Sequence, residues 1–540
     1  MSIAYSYPGI YIQELPLSTQ TIQPAPTSIT VFVGYSNPWK TQVFNTAVQL
    51  FSFSDYENYF GGLFTSGVIP PDLARAVYAF FLNGGTNAYV VGLEANAYDI
   101  SENILGKFGT GGLVPQVSIQ TNTVSPAVGI QLQGQVPTGP GAPTLTATVT
   151  NLRQSTKMSG DDTFDLVVTY GPQIEVYRSL NLAIPQGQSN SLDKVINGVS
   201  SLITVSPMGT GTSYGANFFS AFSAPAAFTL TLTLPAGFNS AYAAVDFVNQ
   251  FQVNTSLDNV EIFNLLLTPG IYDNEVQSAA LAFAERKRAF VILDPPAQAV
   301  ASGTGSNVVN TLVSAIPTSQ NGALYFPYLS STDLVTGLPM QVAPSGYVAG
   351  IFSTTDADRG VWKAPAGLAT VLLGTTGPVS TGLMNDLQQG VLYAVQDTAS
   401  IPINCLRSFG GVGTVVYGSR TLVANNLAFA QSKYVPVRRM TLFIEQTLLA
   451  NLKWVVFEPN DEPLWLAIKS SIEAFLLSLF NQQALQGSTP SAAFQVKCDS
   501  TTTTLADQQL GVVNIVVGVA LLKPAEFVVI KIAQLAGQTS

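Results

Sequence analysis

Two hydrophobic rhythms divide the chain. Residues 28–34 form a run of β-branched and aromatic side chains that reads as a buried strand, and 49–53 reads as another. Ser54 then opens a short helical stretch, with Glu57 three residues on completing a capping box. Residues 72–82 place apolar side chains at helical spacing and stop at Asn83-Gly84-Gly85, after which 88–93 is again strand-like. The alternation resumes late in the chain. There 260–267 and 289–294 read as strands, and 274–288 reads as a helix with basic residues in its last turn, where the helix dipole favours them. Strand–helix–strand alternation of this kind predicts an α/β layer.

Between residues 96 and 256 the pattern changes. Thr, Ser, Gly, Pro, Gln and Val dominate, and β-like pieces at 116–120, 127–132, 145–150, 164–170 and 228–234 are separated by turn signals. This reads as one or two β-rich insertions facing the surface. Further on, Gly410-Gly411-Val412-Gly413 reads as a hairpin turn and 438–451 as a helix. Trp454, Val455, Val456 and Phe457 read as a short buried strand. Residues 464–480 are apolar nearly all round, which predicts a helix buried on most sides, capped by Asn460 or Asp461 with Pro463 in its first turn. Strands are expected at 493–497, 512–520 and 527–532. The fold class expected is α+β multidomain. It comprises an α/β core at 26–95 and 257–420, an inserted β-rich region at 96–256, and a C-terminal α+β module at 421–540.

The two ends share a property. Residues 1–25 read as an extended arm in which Ile10, Tyr11, Ile12 and Leu15 alternate like a strand, while Pro8, Pro16, Pro24 and Pro26 forbid a helix around it. The other end is apolar on both faces, with Val528, Ile530 and Ile532 on one side and Phe527 and Val529 on the other. The arm has no local partner, and a strand apolar on both faces needs neighbours, so both are candidates for pairing with the C-terminal-module sheet of an adjacent subunit by strand exchange; the alternative is that both complete a sheet in their own subunit.

Composition narrows the chemistry. Charged residues make up only 10% of the 540, and the net charge is −10. Residues 421–540 hold eight basic and eight acidic residues, so the acidity lies outside the C-terminal module. A charge-poor surface suits a subunit covered by copies of itself. No clustered basic surface for nucleic acid is present. There is no histidine, which removes His metal ligands and His-dependent nucleophilic triads. Cys405 and Cys498 sit among apolar neighbours and read as buried free thiols. The N-terminus lacks the pattern of a signal peptide, and the apolar run 512–522, broken by Asn514, is too short to span a bilayer. Gly84-Gly85 fits a helix C-cap better than a phosphate loop, since no G-x-x-x-x-G-K-[ST] occurs. Asp161, Asp162 and Asp165 lack calcium-loop spacing and read as a solvated turn. Asp356 and Asp358 beside Arg359 read as a structural ion pair, within or between subunits.

A family resemblance is carried by several blocks in order. K-W-V-V-F-E-P-N-D-E-P-L-W at 453–465 is followed by A-F-Q-V-K-C-D at 493–499, A-D-Q at 506–508 and K-P-A-E-F at 523–527. Earlier stand Y-P-G-I-Y-I-Q-E at 7–14, F-F-L-N-G-G-T-N-A-Y-V-V at 80–91 and T-D-A-D-R-G-V-W-K-A-P-A-G at 355–367. Together these resemble the contractile tail sheath proteins of phages and phage-like injection systems, over roughly 1–95 and 257–535. The resemblance implies a non-enzymatic subunit without cofactors or metals, stacked as hexameric rings around an inner tube. It implies assembly in an extended state and contraction that drives the tube through an envelope. The implied partners are further copies of the chain, the inner tube protein, and baseplate and terminator proteins, with no membrane insertion. The implied place is a virion tail or injection particle assembled in the bacterial cytoplasm. The C-terminal module would face the tube, which makes Lys469 and Glu473 candidate tube-facing residues. Two competing classes are a β-rich surface adhesin, supported by 96–256 alone, and a carboxylate-only hydrolase using Asp294, Asp356 and Asp358.

Overall fold

The computed structural model describes residues 21–37, 40–64, 69–94, 116–120, 129–136, 143–153, 163–208, 212–214, 226–230, 242–301, 309, 313, 316–335, 337–393 and 401–531. Two compact units emerge. Pro26–Arg439 is one; the other joins the residues before Pro26 to those from Met440 onward. The division therefore falls at 439/440, inside the helix Val435–Asn451, rather than at the expected 420/421.

The larger unit is built on an eight-stranded sheet. Its order is Gly413–Val416, Ile403–Phe409, Gly322–Phe326, Phe290–Leu293, Leu265–Leu267, Thr30–Tyr35, Ala88–Leu93, Ala47–Leu50. The six inner strands are parallel, and each edge strand is antiparallel to its neighbour. Parallel strands covered on both faces need apolar side chains throughout, and Thr30–Tyr35 and Phe290–Leu293 are buried at every position. The hairpin expected at 410–413 joins the last two strands, with Gly411 at φ 77.

Several local expectations shift. The strand expected at 49–53 is Ala47–Leu50, and the helix after it is Phe53–Phe60. Its cap is Ser52 rather than Ser54: Ser52 Oγ accepts from Asp55 N, and Asp55 Oδ2 accepts from Ser52 N. The expected strand 260–267 pairs only over Leu265–Leu267. Helix Asn274–Lys287 starts at Asp273, whose carboxylate accepts from Glu275 N. Gly84, at φ 92, closes helix Asp72–Leu82, with Gly85 N donating to Phe80 O, the αL cap chemistry the sequence suggested.

The inserted region contains two sheets. One is antiparallel in the order Ala226–Leu230, Leu145–Arg153, Thr163–Tyr170, Gln173–Asn181; the other is Gln116–Gln120, Gly129–Gly134, Ile203–Pro207. They share a core that includes Leu132, Val149, Val168, Ile203 and Tyr214. Asp165, expected in a solvated turn, is instead buried within strand Thr163–Tyr170, where it accepts from Ser179 N and Asn151 Nδ2, both at 2.8 Å; Asp161 and Asp162 lie outside the described residues. Helix Ala244–Gln250 does not belong to this region. Phe247 and Phe251 lie in the α/β core, and the Tyr35 hydroxyl donates to Asp246 Oδ2 at 2.6 Å. The separately packed segment thus ends before 244 and not at 256.

In the smaller unit, helix Glu462–Asn481 is capped by Asp461, which accepts from Leu464 N, with proline in the first turn as expected. It buries Trp465, Ile468, Ile472, Phe475, Leu476 and Leu479, but Leu466 is 65% and Leu477 41% exposed. One face is buried, not most sides. The helix is long and apolar enough to cross a membrane, yet 44% of it is buried within the protein, and Phe475 packs 6.2 Å from Phe443. The strand expected at 454–457 is absent. Lys453–Val455 is a single 3-10 turn, and Phe457 stands at φ 72, fully exposed. The run is only four residues between the end of one helix and Pro459, and among the described residues no strand pairs with it. The sheet of this unit has two described strands, Phe494–Lys497 and Val516–Val519, antiparallel. The latter is shorter than the expected 512–520.

Candidate assembly surfaces

The carboxylates proposed for a hydrolase do not converge. Asp294 ends its strand at the start of helix Ser345–Arg359. There it accepts from Ser345 N at 2.8 Å, Ser345 Oγ at 2.6 Å and Gly270 N at 2.9 Å. Asp356 lies in the last turn of the same helix, so roughly 16 Å of helical rise separates it from Ser345, too far for a glycosidase-type pair. Asp356 pairs with Arg439 and not with Arg359, and Asp358 is exposed. The partner lay 83 positions away in sequence; the adjacent arginines Arg438 and Arg439 in the first turns of helix Val435–Asn451 were its visible sign. Among the described residues, no cluster of three metal-ligating side chains occurs. Both cysteines are buried and free.

Asp294 supplies a pH signature. Burial pushes its carboxyl up to about 6 against the three donors, and nearby Asp72 adds to the rise. The folded chain then holds a proton that the unfolded chain releases near 3.8. The resulting stabilisation is complete below that value and is lost as pH rises through about 6, an effect of about 3 kcal/mol. Asp294→Asn, neutral throughout, should flatten the pH dependence of urea unfolding across this window. An unchanged slope in the variant would assign it to other groups.

Of the strand-exchange candidates, Ile10, Tyr11, Ile12, Leu15 and Ile532 lie outside the described residues. Phe527, Val528, Val529 and Ile530 are 66%, 81%, 79% and 79% exposed and form no strand within the chain. Among the described residues, the expected terminal strand is therefore an apolar segment that pairs with no strand. A two-stranded sheet is marginal in water by itself, and this one leaves both outer edges open among the described residues. Lys469 and Glu473 lie one turn apart on helix Glu462–Asn481, Nζ to Oε1 at 3.9 Å, and are 39% and 44% exposed. They face each other, which accounts for part of their placement without any partner.

Residues 430–534 match the family model of the phage tail sheath C-terminal domain. The chain is 29% identical over 157 residues to the tail sheath protein of Vibrio phage KVP40, covering 29% of this chain and 21% of that protein. It is 27% identical over 242 residues to a putative prophage major tail sheath protein of Pseudomonas aeruginosa, covering 42% of this chain and 56% of that one. The chain thus spans between a fifth and about half of the length of these relatives. Among solved structures, it resembles the sheath of PVC, an extracellular contractile injection system, in the contracted state. That match has a TM-score of 0.56 at 20% identity and covers 99% of both chains. It likewise resembles the contracted helical sheath of the anti-feeding prophage, with a TM-score of 0.55 at 21% identity over 98% of this chain and 100% of the other. Residues 430–534 are therefore similar to the phage tail sheath C-terminal domain, and the chain that carries them has the fold seen in contractile tail sheath proteins.

Proposed function

We propose that the chain is the structural subunit of a contractile sheath, polymerising helically around an inner tube and contracting to drive that tube through a target envelope. The observation that carries this reading is the exposed apolar segment Phe527 to Ile530, which follows a two-stranded sheet in the chain, in a region that matches the sheath family. Burying a Val or Ile side chain stabilises by about 1.5–3 kcal/mol. Four such side chains left in water form a surface that association removes.

The mechanism follows from the geometry of strand addition. In this reading the arm carrying Ile10, Tyr11, Ile12 and Leu15, and the segment carrying Phe527 to Ile530 and Ile532, add to the edges of Phe494–Lys497 and Val516–Val519 in adjacent subunits. Backbone hydrogen bonds then give affinity with little dependence on side chains. The contact is head to tail and does not close, so it generates a helix of subunits. Flexible links let subunits rotate and slide while remaining joined. Contraction becomes a passage between two packings of one chain, with the extended one trapped behind a kinetic barrier. No nucleotide enters this scheme. The inserted β-rich region takes the outer surface, where insertions are tolerated. The C-terminal domain takes the inner one, with Lys469 and Glu473 towards the tube. Further partners are baseplate and terminator proteins, and the place is a virion tail or injection particle assembled in the bacterial cytoplasm.

Electron microscopy of the purified chain tests the reading. Striated tubes of uniform width are the expected result, including for a chain whose residues 96–241 are replaced by a short Gly/Ser linker. Lys469→Glu should leave those tubes intact but weaken their hold on the inner tube. Folded monomers at every concentration and salt condition would remove the sheath proposal. Normal tube attachment by Lys469→Glu would leave that pair as a helix-surface contact only.

A further inference from the structure

Two chain crossings join the units, at 25/26 and at 439/440. The peptide at the first crossing follows the helix that makes the second. Within the smaller unit, Gln23 N donates to Asn451 Oδ1 at 2.9 Å, and Asn451 Nδ2 returns a bond to Gln23 O at 2.8 Å. Ala25 N donates to Thr447 Oγ1 at 3.1 Å, with Ile22 and Ala25 buried. Within the larger unit, Arg439 Nη2 donates to Thr27 O at 2.8 Å. Residues 23 and 25 of this strap thus meet 451 and 447 within the smaller unit, and residue 27 meets 439 within the larger.

The last of these contacts differs in kind. Arg439 and Asp356 have side chains only 3% and 2% exposed. The guanidinium meets the carboxylate with two bonds, Nη1 to Oδ1 at 2.8 Å and Nη2 to Oδ2 at 2.5 Å, and stacks 4.8 Å from the centre of the Phe352 ring. Nη2 also donates to Thr27 O. A buried ion pair contributes little net stability when measured against apolar replacements; what it supplies is one defined geometry. Only the planar fork of arginine can grip a carboxylate with both nitrogens while also reaching a backbone carbonyl. Thr27 and Arg439 each stand within two residues of a crossing, so one buried pair fixes both. Three residues after Thr27 begins Thr30–Tyr35, an inner strand of the eight-stranded sheet.

We propose that Asp356, Arg439 and the Thr27 carbonyl form a clasp that anchors both chain crossings at one rigid point. Tension on the N-terminal arm then passes through the 23–27 strap and this clasp into the central sheet. Whatever arrangement the smaller unit takes, both of its links start from the same place. The role in carrying tension rests on the sheath reading above. The clasp itself does not, and it can be measured on the unassembled full-length chain.

Hydrogen exchange on that chain is the test. Arg439→Lys keeps the charge and loses the fork, and Asp356→Asn keeps the shape and loses the charge. Both variants should speed exchange of the hydrogen-bonded amides of Ile29, Thr30 and Arg438 by about ten-fold or more, the signature of local opening. Exchange in Phe290–Leu293 and Gly322–Phe326 should hold. The double variant Asp356→Leu with Arg439→Met leaves no stranded buried charge, so it keeps the fold while removing the clasp. It should show the same faster exchange at both crossings. Unchanged exchange there in the double variant, or an equal rise throughout the larger unit, would overturn the clasp. Failure of the sheath reading looks different: no variant, nor the parent chain, forms tubes, while the exchange pattern stays as described.

Discussion

A chain lacking residues 1–16 is expected to fold normally and to form no stable sheath. The deletion stops short of the strap, whose buried side chains begin at Ile22 and whose hydrogen bonds begin at Gln23. The cores described for both units are built from later residues, so circular dichroism and thermal melting should match the parent chain. What the deletion removes is an alternating apolar segment whose strand has no hairpin partner in the sequence. Under strand exchange, each lost arm also leaves an open edge on the two-stranded sheet of a neighbour. With a backbone hydrogen bond worth about 0.5–1.5 kcal/mol net, losing four or five of them per subunit reduces each subunit–subunit link by several kcal/mol. Repeated along a polymer, that abolishes assembly at ordinary concentrations. Sedimentation and electron microscopy read the result. An unfolded deletion variant places the arm inside its own subunit's fold. Intact, contractile tubes from the deleted chain remove strand exchange altogether.

How much of this was legible in the sequence depended on how local the determinants were. The inner strands Thr30–Tyr35, Ala88–Leu93 and Phe290–Leu293 were legible because a parallel strand buried on both faces has to be apolar at nearly every position. Helices Asp72–Leu82 and Glu462–Asn481 were legible through period and capping residues. Trp454 to Phe457 misled because a four-residue apolar run carries no information about whether a partner strand lies beside it. Helix Ala244–Gln250 misled for the converse reason: it follows a β-rich stretch in sequence yet packs around Tyr35, some two hundred residues earlier. The Asp356–Arg439 pair was equally out of reach, since charge spacing predicts partners only along one helix face. In the region of assembly, the composition of the two ends pointed to unpaired strands. The exposure of Phe527 to Ile530 and the open sheet edges became visible only with the tertiary structure.

Gly346→Val should be the most damaging single substitution in the larger unit. Helix Ser345–Arg359 lies against helix Asp72–Leu82, and two glycines one turn apart, Gly346 and Gly350, face the contact. A Cβ added at Gly346 would meet Ala76 O at 2.4 Å and Ala76 Cα at 2.6 Å; one added at Gly350 would meet Asn83 Cβ at 2.6 Å. The obstacles at Ala76 are backbone atoms in the middle of a helix, so no side-chain rotation relieves them. The helices have to separate, and separation opens voids around Phe80 and Val348, both fully buried. It also strains the Asn83 contacts, in which Nδ2 donates to Leu373 O and Oδ1 accepts from Leu373 N. Overpacking of a core typically costs about 1–3 kcal/mol, and clashes against fixed backbone lie at the upper end or beyond. Valine adds a χ1 restriction inside the helix. Gly390 is the control: it sits in helix Asp386–Tyr393 with nothing within 4 Å of an added Cβ. Gly390→Ala should be neutral or stabilise by about 0.5–1 kcal/mol through reduced freedom of the unfolded chain. Urea unfolding followed by near-ultraviolet circular dichroism should therefore move in opposite directions for the two variants. Equal midpoints for Gly346→Val and the parent chain would mean that these helices do not approach as closely as described.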